Sequence, residues 1–296
     1  MKEPMQTNFP RVDISTLSAY RDDDILISRF AEYLAIHPNL TAPHRHSFFH
    51  LLFFTEGGGR HTIDFNHFEV NPYQIYFMTP GQVHSWDFEG HVDGFVVNFS
   101  ENFFQSFLLR PEYVRSFSYF NGLSPDSVIN LSDVVQKSVV TLFEELIRQS
   151  RQQQVFKEDM LRVLLLQIFI TIEQSISLDK PQSTAFQSNP VLRNFQKLIE
   201  KNYLETRLPG EYAELLNITP NHLNALCKEH LGMQAGEVIR NRVVLEAKRL
   251  LVNLGLSVSE IAYKLNFNDN SYFTKFFKKE VGSSPEVFRK KSILEK

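Results

Sequence analysis

The C-terminal third of the chain contains one unit twice, and that repeat limits the possible folds more than any other feature. Residues 211–232, EYAELLNITPNHLNALCKEHLG, align with residues 260–282, EIAYKLNFNDNSYFTKFFKKEVG. Glu211 matches Glu260, Ala213 matches Ala262, Leu216 matches Leu265 and Ile218 matches Phe267. After one extra residue in the second copy's turn, Leu223, Leu226, Cys227 and Gly232 match Phe273, Phe276, Phe277 and Gly282. In the second copy Ser257 and Glu260 make an S-x-x-E capping box, which satisfies free amides at a helix start. Ile261, Ala262 and Leu265 supply the apolar side, and Asn266 to Asn270 interrupt the pattern with residues that tolerate turn or left-handed backbone. Phe273, Phe276 and Phe277 then recur at i, i+3, i+4 of a second helix, which leaves Asn270, Ser271, Thr274, Lys275, Lys278 and Lys279 outward. The first copy has Thr219 as N-cap and Pro220 at the first helical position, with Asn221, His222, Asn224, Ala225 and Lys228 outward. Each copy is predicted to be a helix, a sharp turn and a second helix.

Between the copies, residues 240–255 (RNRVVLEAKRLLVNLG) read as one helix with Val244, Ala247, Leu250 and Leu251 as its apolar face. A helix of this length holds the two outward helices at a fixed separation, which suits entry into successive major grooves of DNA. The net charge of −3 does not by itself point to nucleic acid. The distribution does: from Pro190 onward there are 17 Lys and Arg against 12 Asp and Glu, and the remainder holds 14 against 22. A basic C-terminal part joined to an acidic N-terminal part is expected where only one domain meets phosphates.

The sequence A-x-x-L-N-I-T, the helix containing RVVLEAKRLL, and I-A-x-x-L-x-F-x-D-x-S-Y-F-x-K-x-F-K-K-x-x-G-x-S-P-x-x-F-R together strongly resemble the AraC/XylS family of transcription regulators. Asn266 stands where family members often carry Gly, Cys227 replaces a common Phe, and Leu208-Pro209-Gly210 lacks the polar cap of the second copy. The resemblance implies double-stranded promoter DNA as partner. It makes Asn221, Asn224, Ala225, Asp269, Asn270, Ser271 and Lys275 the base-edge candidates, with His222 and Thr274 beside them, and Lys228, Lys278, Lys279 and Arg289 the phosphate contacts. Asn can pair with adenine and Lys can donate to guanine in the major groove, whereas phosphate contacts position the protein without reading sequence.

The N-terminal part uses a different vocabulary. Residues 41–98 carry aromatic and β-branched runs of strand length, broken by Gly57-Gly58-Gly59, Asn71-Pro72 and Pro80-Gly81, which implies a small barrel or sandwich. His44 and His46 share a strand face, and His50 shares their parity if the strand is regular. His84 follows the Pro80-Gly81 turn. The order H-x-H-x3-H-x6-G, then P-G-x-x-H, resembles the two motifs of the cupin superfamily, in which metal-bearing members have Glu where this chain has His50. The reading adopted is a pocket for a small-molecule effector, lined by His44, His46, His50, Tyr76, His84 and Trp86, with no metal or other cofactor. The alternative is a metal ion on His44, His46, His50 and His84, in a sensor or metalloenzyme fused to a DNA-binding domain.

Helical periodicity then predicts helices over 132–151 and 155–177, which cover the barrel and form a homodimer interface. Residues 179–189 read as a linker. The expected organisation is an α+β chain of two domains: a cupin-like effector-binding and dimerisation domain over 1–178, and an all-α domain with two helix-turn-helix motifs over 190–296. Lone Cys227 is a core residue and forms no internal disulfide. The chain has no apolar run long enough to span a membrane and no charged-then-apolar N-terminus, so a cytoplasmic, non-enzymatic regulator is expected, with RNA polymerase as a further partner if it activates. Because the first motif is less well capped, the two recognition helices are expected to contribute unequally. Stripping the base-facing side chains from each in turn should cost more DNA affinity in the second; equal losses in a mobility-shift titration would refute the asymmetry.

Overall fold

The computed structural model describes residues 11–17, 24–105, 107–179, 189–252 and 255–294. Residues 10–181 form one compact unit, and the chain from 182 to 296 belongs to a second. The expected linker lies outside the described residues except at its ends, where Asp179 closes one helix and Asn189 caps the next. Of the N-terminal segment, residues 1–10 and 18–23 also lie outside them.

The first unit opens with β1 (Arg11–Val12), α1 (Ile14–Leu17), β2 (Ile25–Arg29) and α2 (Phe30–Ile36). Seven strands follow: β3 (His44–His46), β4 (Phe49–Glu56), β5 (Gly59–Ile63), β6 (Asn66–Glu69), β7 (Gln74–Met78), β8 (Val83–Phe88) and β9 (Asp93–Phe99). A run of short 3-10 turns leads to β10 (Val128–Asn130), α3 (Asp133–Ser150) and α4 (Lys157–Asp179). The strands form two five-stranded sheets, ordered β1-β3-β8-β5-β6 and β10-β7-β4-β9-β2. The expected small barrel is therefore a pair of sheets enclosing a common interior.

The second sheet is buried on both faces. Phe49, Leu51 and Phe53 of β4 share a core with Phe143 and Leu146 of α3 and with Leu165, Ile168 and Phe169 of α4. Leu52 and Phe54, the alternate residues of β4, share a core with Ile63 and Trp86 of the other sheet. Successive side chains of a strand point to opposite faces. With apolar partners on both, 49–54 reads FHLLFF and shows no polar alternation. The helices fall within a few residues of their predicted limits, and they cover this sheet as expected.

The second unit consists of α5 (Pro190–Asn202), α6 (Pro209–Leu215), α7 (Pro220–Leu231), α8 (Ala235–Leu251), α9 (Val258–Lys264), α10 (Asn270–Val281) and α11 (Pro285–Leu294). It has two cores. Leu192, Phe195, Tyr212, Leu223 and Cys227 gather in one, Ile261, Leu265, Phe273 and Phe277 in the other. Helix α8 serves both: Ala235 and Ile239 complete the first, Val243, Ala247 and Leu251 the second. Val243, absent from the predicted apolar face, is 1% exposed.

The conformation of Gly94 holds the second sheet together. Its φ is +155°, and a Cβ there would lie 1.9 Å from the Phe53 carbonyl oxygen on the paired strand β4. Only glycine permits that approach. Gly94→Ala should cost about 3 kcal/mol or more, roughly a 6–12 °C fall in melting temperature for a unit of this size. An unchanged thermal melt would show that the β4–β9 pair can shift to accept the methyl group.

Candidate nucleic-acid interface and interior histidine cluster

The two helix-turn-helix motifs share their turn. Asn217 and Asn266 both adopt left-handed backbone, with φ of 55° and 57°. The next residue in each copy closes back on the first helix: Ile218 N donates to Ala213 O at 3.0 Å, and Phe267 N to Ala262 O at 2.9 Å. Asparagine is the side-chain-bearing residue that best tolerates this conformation, so it ends each helix with a satisfied carbonyl. Thr219 then caps α7 by accepting from His222 N at 3.2 Å, and Asp269 caps α10 by accepting from Tyr272 N at 2.7 Å. The first helices start differently. Ser257 Oγ accepts from Glu260 N while Glu260 accepts from Ser257 N, a full capping box. In the first copy Leu208 has no side-chain acceptor to offer, so only the reciprocal half, Glu211 accepting from Leu208 N at 3.2 Å, is present.

The exposed faces correspond as well. Asn221, Ala225 and Lys228 lie at i, i+4, i+7 on α7, and all are exposed. Ser271, Lys275 and Lys278 occupy the same three places on α10 and are likewise exposed, with Asn270 and Lys279 beside them. The second stripe carries two ammonium groups where the first carries one, and Lys279 stands where the first copy has Glu229. His222 is exposed, and its counterpart Tyr272, which was not selected from sequence, is 60% exposed. The repeat register alone would have found Tyr272.

Three selected residues are instead engaged by the protein's own backbone. Asp269 is the α10 cap, so its carboxylate is committed to an amide. Asn224 is half-buried, and its Oδ1 accepts from Ala235 N, the first amide of α8, at 3.0 Å. One of that oxygen's two lone pairs is therefore committed within the protein. Thr274, its counterpart, is also half-buried. Arg289 donates from Nε to Leu251 O at 3.0 Å and from Nη2 to Leu256 O at 2.7 Å, tying α11 to the end of α8. Its guanidinium satisfies the carbonyl that ends α8 and one in the connection before α9, which fixes the position of α11.

In the first unit, the selected histidines converge, though by a different route from the expected one. His50 does not continue the strand of His44 and His46: the chain crosses at Ser47-Phe48 from one sheet to the other, so His50 faces its partners across the interior. The distances between His46 Nε2 and the Nε2 atoms of His44 and His84 are 3.1 and 2.8 Å. His61 on β5, missed in sequence, joins them with Nε2 3.1 Å from His84 Nδ1. Its alternation with inward Ile63 was the available signal. All five imidazoles are at most 3% exposed.

Burial penalises the imidazolium form and keeps the cluster neutral. It pushes His44 down to about 4, against a hydrogen bond to Ala42 that acts the other way. His50 is pushed down to about 3 despite its contact with Asn98. Burial and mutual repulsion hold His46, His61 and His84 well below the usual range. Trp86 and Tyr76 line the same space, but the Tyr76 hydroxyl is held by Gln74 Oε1 at 2.7 Å.

Residues 33–169 match a family model described as an AraC-like ligand binding domain, and residues 212–291 match one described as a helix-turn-helix domain. The chain is similar to the HTH-type transcriptional regulator YfiF of Bacillus subtilis (strain 168), with 26% identity over 84% of this chain and 79% of that one. It is similar to the HTH-type transcriptional activator AarP of Providencia stuartii, with 33% identity over 36% of this chain and 78% of that one. It is also similar to the HTH-type transcriptional activator RhaR of Enterobacter sp. (strain 638), with 21% identity over 86% of this chain and 89% of that one.

The position of Arg289 separates its two possible roles experimentally. Arg289→Gln, which removes the charge, should lower the melting temperature of the second unit, since two charge-assisted hydrogen bonds contribute roughly 1.5–3 kcal/mol each before compensation. The slope of log affinity against log salt should stay unchanged, whereas losing a phosphate contact would reduce it by about 1.

Proposed function

The chain belongs to the AraC family of helix-turn-helix transcription regulators, with an AraC-like ligand-binding domain preceding its DNA-binding domain, and from that membership we propose that it reads promoter DNA with the exposed stripes of α7 and α10 under the control of an effector held between the N-terminal sheets. The observation that carries this reading is the pair of equivalent stripes, Asn221–Ala225–Lys228 and Ser271–Lys275–Lys278, mounted on one helix that runs through both cores. Such a mount turns two short motifs into a single bipartite reader. Ser271 and Lys275 reach base edges, with Asn221 and Ala225 as their weaker equivalents; Lys228, Lys278 and Lys279 meet phosphate.

The effector acts by differential affinity. A ligand shifts an equilibrium only as far as it prefers one arrangement over another. The interior histidine cluster, with Tyr76 and Trp86, is the region where such a ligand is held. A second copy of the chain docks on α4, whose Met160, Val163 and Ile170 are 40–48% exposed on the side away from the sheet core. Contact with RNA polymerase follows if the regulator activates, and the work is done in the cytoplasm. Among the described residues no helix is long and apolar enough to cross a membrane. The relatives are transcriptional regulators, and the chain acts by binding and not by catalysis.

Two substitutions test the division of labour. Lys275→Ala should weaken cognate binding by about 1–3 kcal/mol and flatten the preference over scrambled DNA. Lys278→Ala should weaken both sequences alike and reduce the salt slope by about 0.9. Equal losses on cognate and scrambled DNA for Lys275→Ala would remove its base-reading role.

A further inference from the structure

The interior of the first unit is not shaped for an organic effector. The His44 and His84 rings lie 4.1 Å apart between centroids, His44 and His46 4.6 Å, and His46 and His50 4.6 Å. Trp86 is 5.0 Å from His84, and Tyr76 is 4.6 Å from His61. Phe30, Phe48, Phe54 and Ile63 close the surroundings at 0–1% exposure. Rings at these spacings are in contact with one another. Nε2 of His46 lies within 3.1 Å of Nε2 of both His44 and His84, so no organic molecule fits between those nitrogens.

The hydrogen-bond pattern gives the second constraint. His44 Nδ1 lies 2.7 Å from the Ala42 carbonyl, which only accepts, so Nδ1 carries the proton and Nε2 of the neutral ring is a bare lone pair. His46 Nε2 faces that lone pair at 3.1 Å and His84 Nε2 at 2.8 Å. One proton can lie along only one of those two contacts. If His46 carries it, one neighbour is unsatisfied; if His84 carries it, the lone pairs of His44 and His46 oppose each other. His50 repeats the theme: its Nδ1 contacts Asn98 Oδ1 at 2.5 Å, which leaves Nε2 bare, buried and without a hydrogen-bond partner among the described residues. Buried polar atoms without partners are rare, and several in one cluster call for a shared one.

A cation supplies that partner. Tetrahedral zinc takes nitrogen at about 2.0–2.1 Å, which sets ligand nitrogens roughly 3.3 Å apart. His44, His46 and His84 each offer one ring nitrogen, and these three lie within 4.8 Å of one another; His50 stands outside that group, with its ring centroid 4.6 Å from that of His46. Ligating imidazoles characteristically fix their other nitrogen on a carbonyl or similar acceptor. Here Ala42 O does this for His44 and Asn98 Oδ1 for His50. A donor set of neutral nitrogens excludes the hard oxygen-seeking ions calcium and magnesium and selects zinc, cobalt, nickel or copper. We propose that the effector of this regulator is a divalent transition-metal ion, bound by Nε2 of His44, His46 and His84 with His50 Nε2 closing the fourth position, and oriented by Asn98.

The inference rests on the first unit being the effector-binding half, so the test reads metal binding separately from DNA binding. The full chain, purified without an affinity tag and stripped with chelator, is titrated with Co²⁺ and Zn²⁺. One equivalent per chain should bind, Co²⁺ should show the intense d–d absorption of a tetrahedral nitrogen site, and Zn²⁺ should raise the melting temperature of the first unit. Mg²⁺ and Ca²⁺ should do neither. His84→Gln should abolish the cobalt spectrum, Asn98→Ala should weaken affinity 10- to 100-fold, and His91→Gln, at a histidine outside the cluster, should change nothing. If His84→Gln melts too low to interpret, Asn98→Ala and the wild-type titration decide the site. No stoichiometric binding by the folded wild-type chain overturns the proposal and leaves an organic effector standing. Binding that leaves promoter affinity and transcription in vitro unchanged overturns the ion as effector. Failure to bind promoter DNA with or without metal, while the cobalt site forms, sinks the DNA-reader assignment and the ion's role as effector together, but not the metal site.

Discussion

Helix α8 is the constraint on which the DNA-binding unit depends. Its N-terminal half completes the core around Leu223 and Cys227, and its C-terminal half completes the core around Phe273 and Phe277. Each motif alone has too little apolar surface for a sizeable core, as expected of very small folding units. Sharing one helix gives both a third wall and fixes the distance between their exposed stripes. Ion pairs reinforce this frame: Arg242, 12% exposed, meets Glu200 and Glu246 and lies over the Tyr203 ring, and Arg240 joins Glu280 of α10. Asp269, Asn224 and Arg289 belong to the frame.

The N-terminal unit faces the opposite problem, that of keeping polar groups inside a dry interior. Its second sheet is covered by helices on one face and by the other sheet on the second, so water has little access to the space between them. Five histidines and Asn98 are enclosed there. Neutral imidazoles are the form that such a space tolerates. Keeping them neutral also keeps their lone pairs available.

Periodic features were legible in the sequence to within a few residues. Register in the repeat located both helix-turn-helix motifs, the capping box at Ser257, the asparagine turn and the core positions Phe273 and Phe277. Helices α3 and α4 followed from apolar spacing. What lay outside those periodic features has one cause, which is that a polar side chain does not announce its partner. Asp269 looked like a base contact because it sits at the mouth of a recognition helix, yet that is also where an N-cap belongs. Arg289 looked like a phosphate contact because it is basic and near the C-terminus, while its carbonyl partners Leu251 and Leu256 lie over thirty residues earlier in the chain. His50 reached the right place for the wrong reason, since its parity with His46 presumed one strand where the chain changes sheets.

The sequence by itself determined the fold class, the duplicated reader and the charge division, because these are properties of local pattern: apolar spacing, capping residues and repeat register act within a few turns of chain. Only the tertiary structure decided which polar residues are free and which are committed, and brought His61 beside His84 and His50 across from His46. Those facts depend on pairings between segments distant in sequence, where a shift of a few ångströms separates a solvated side chain from a ligand.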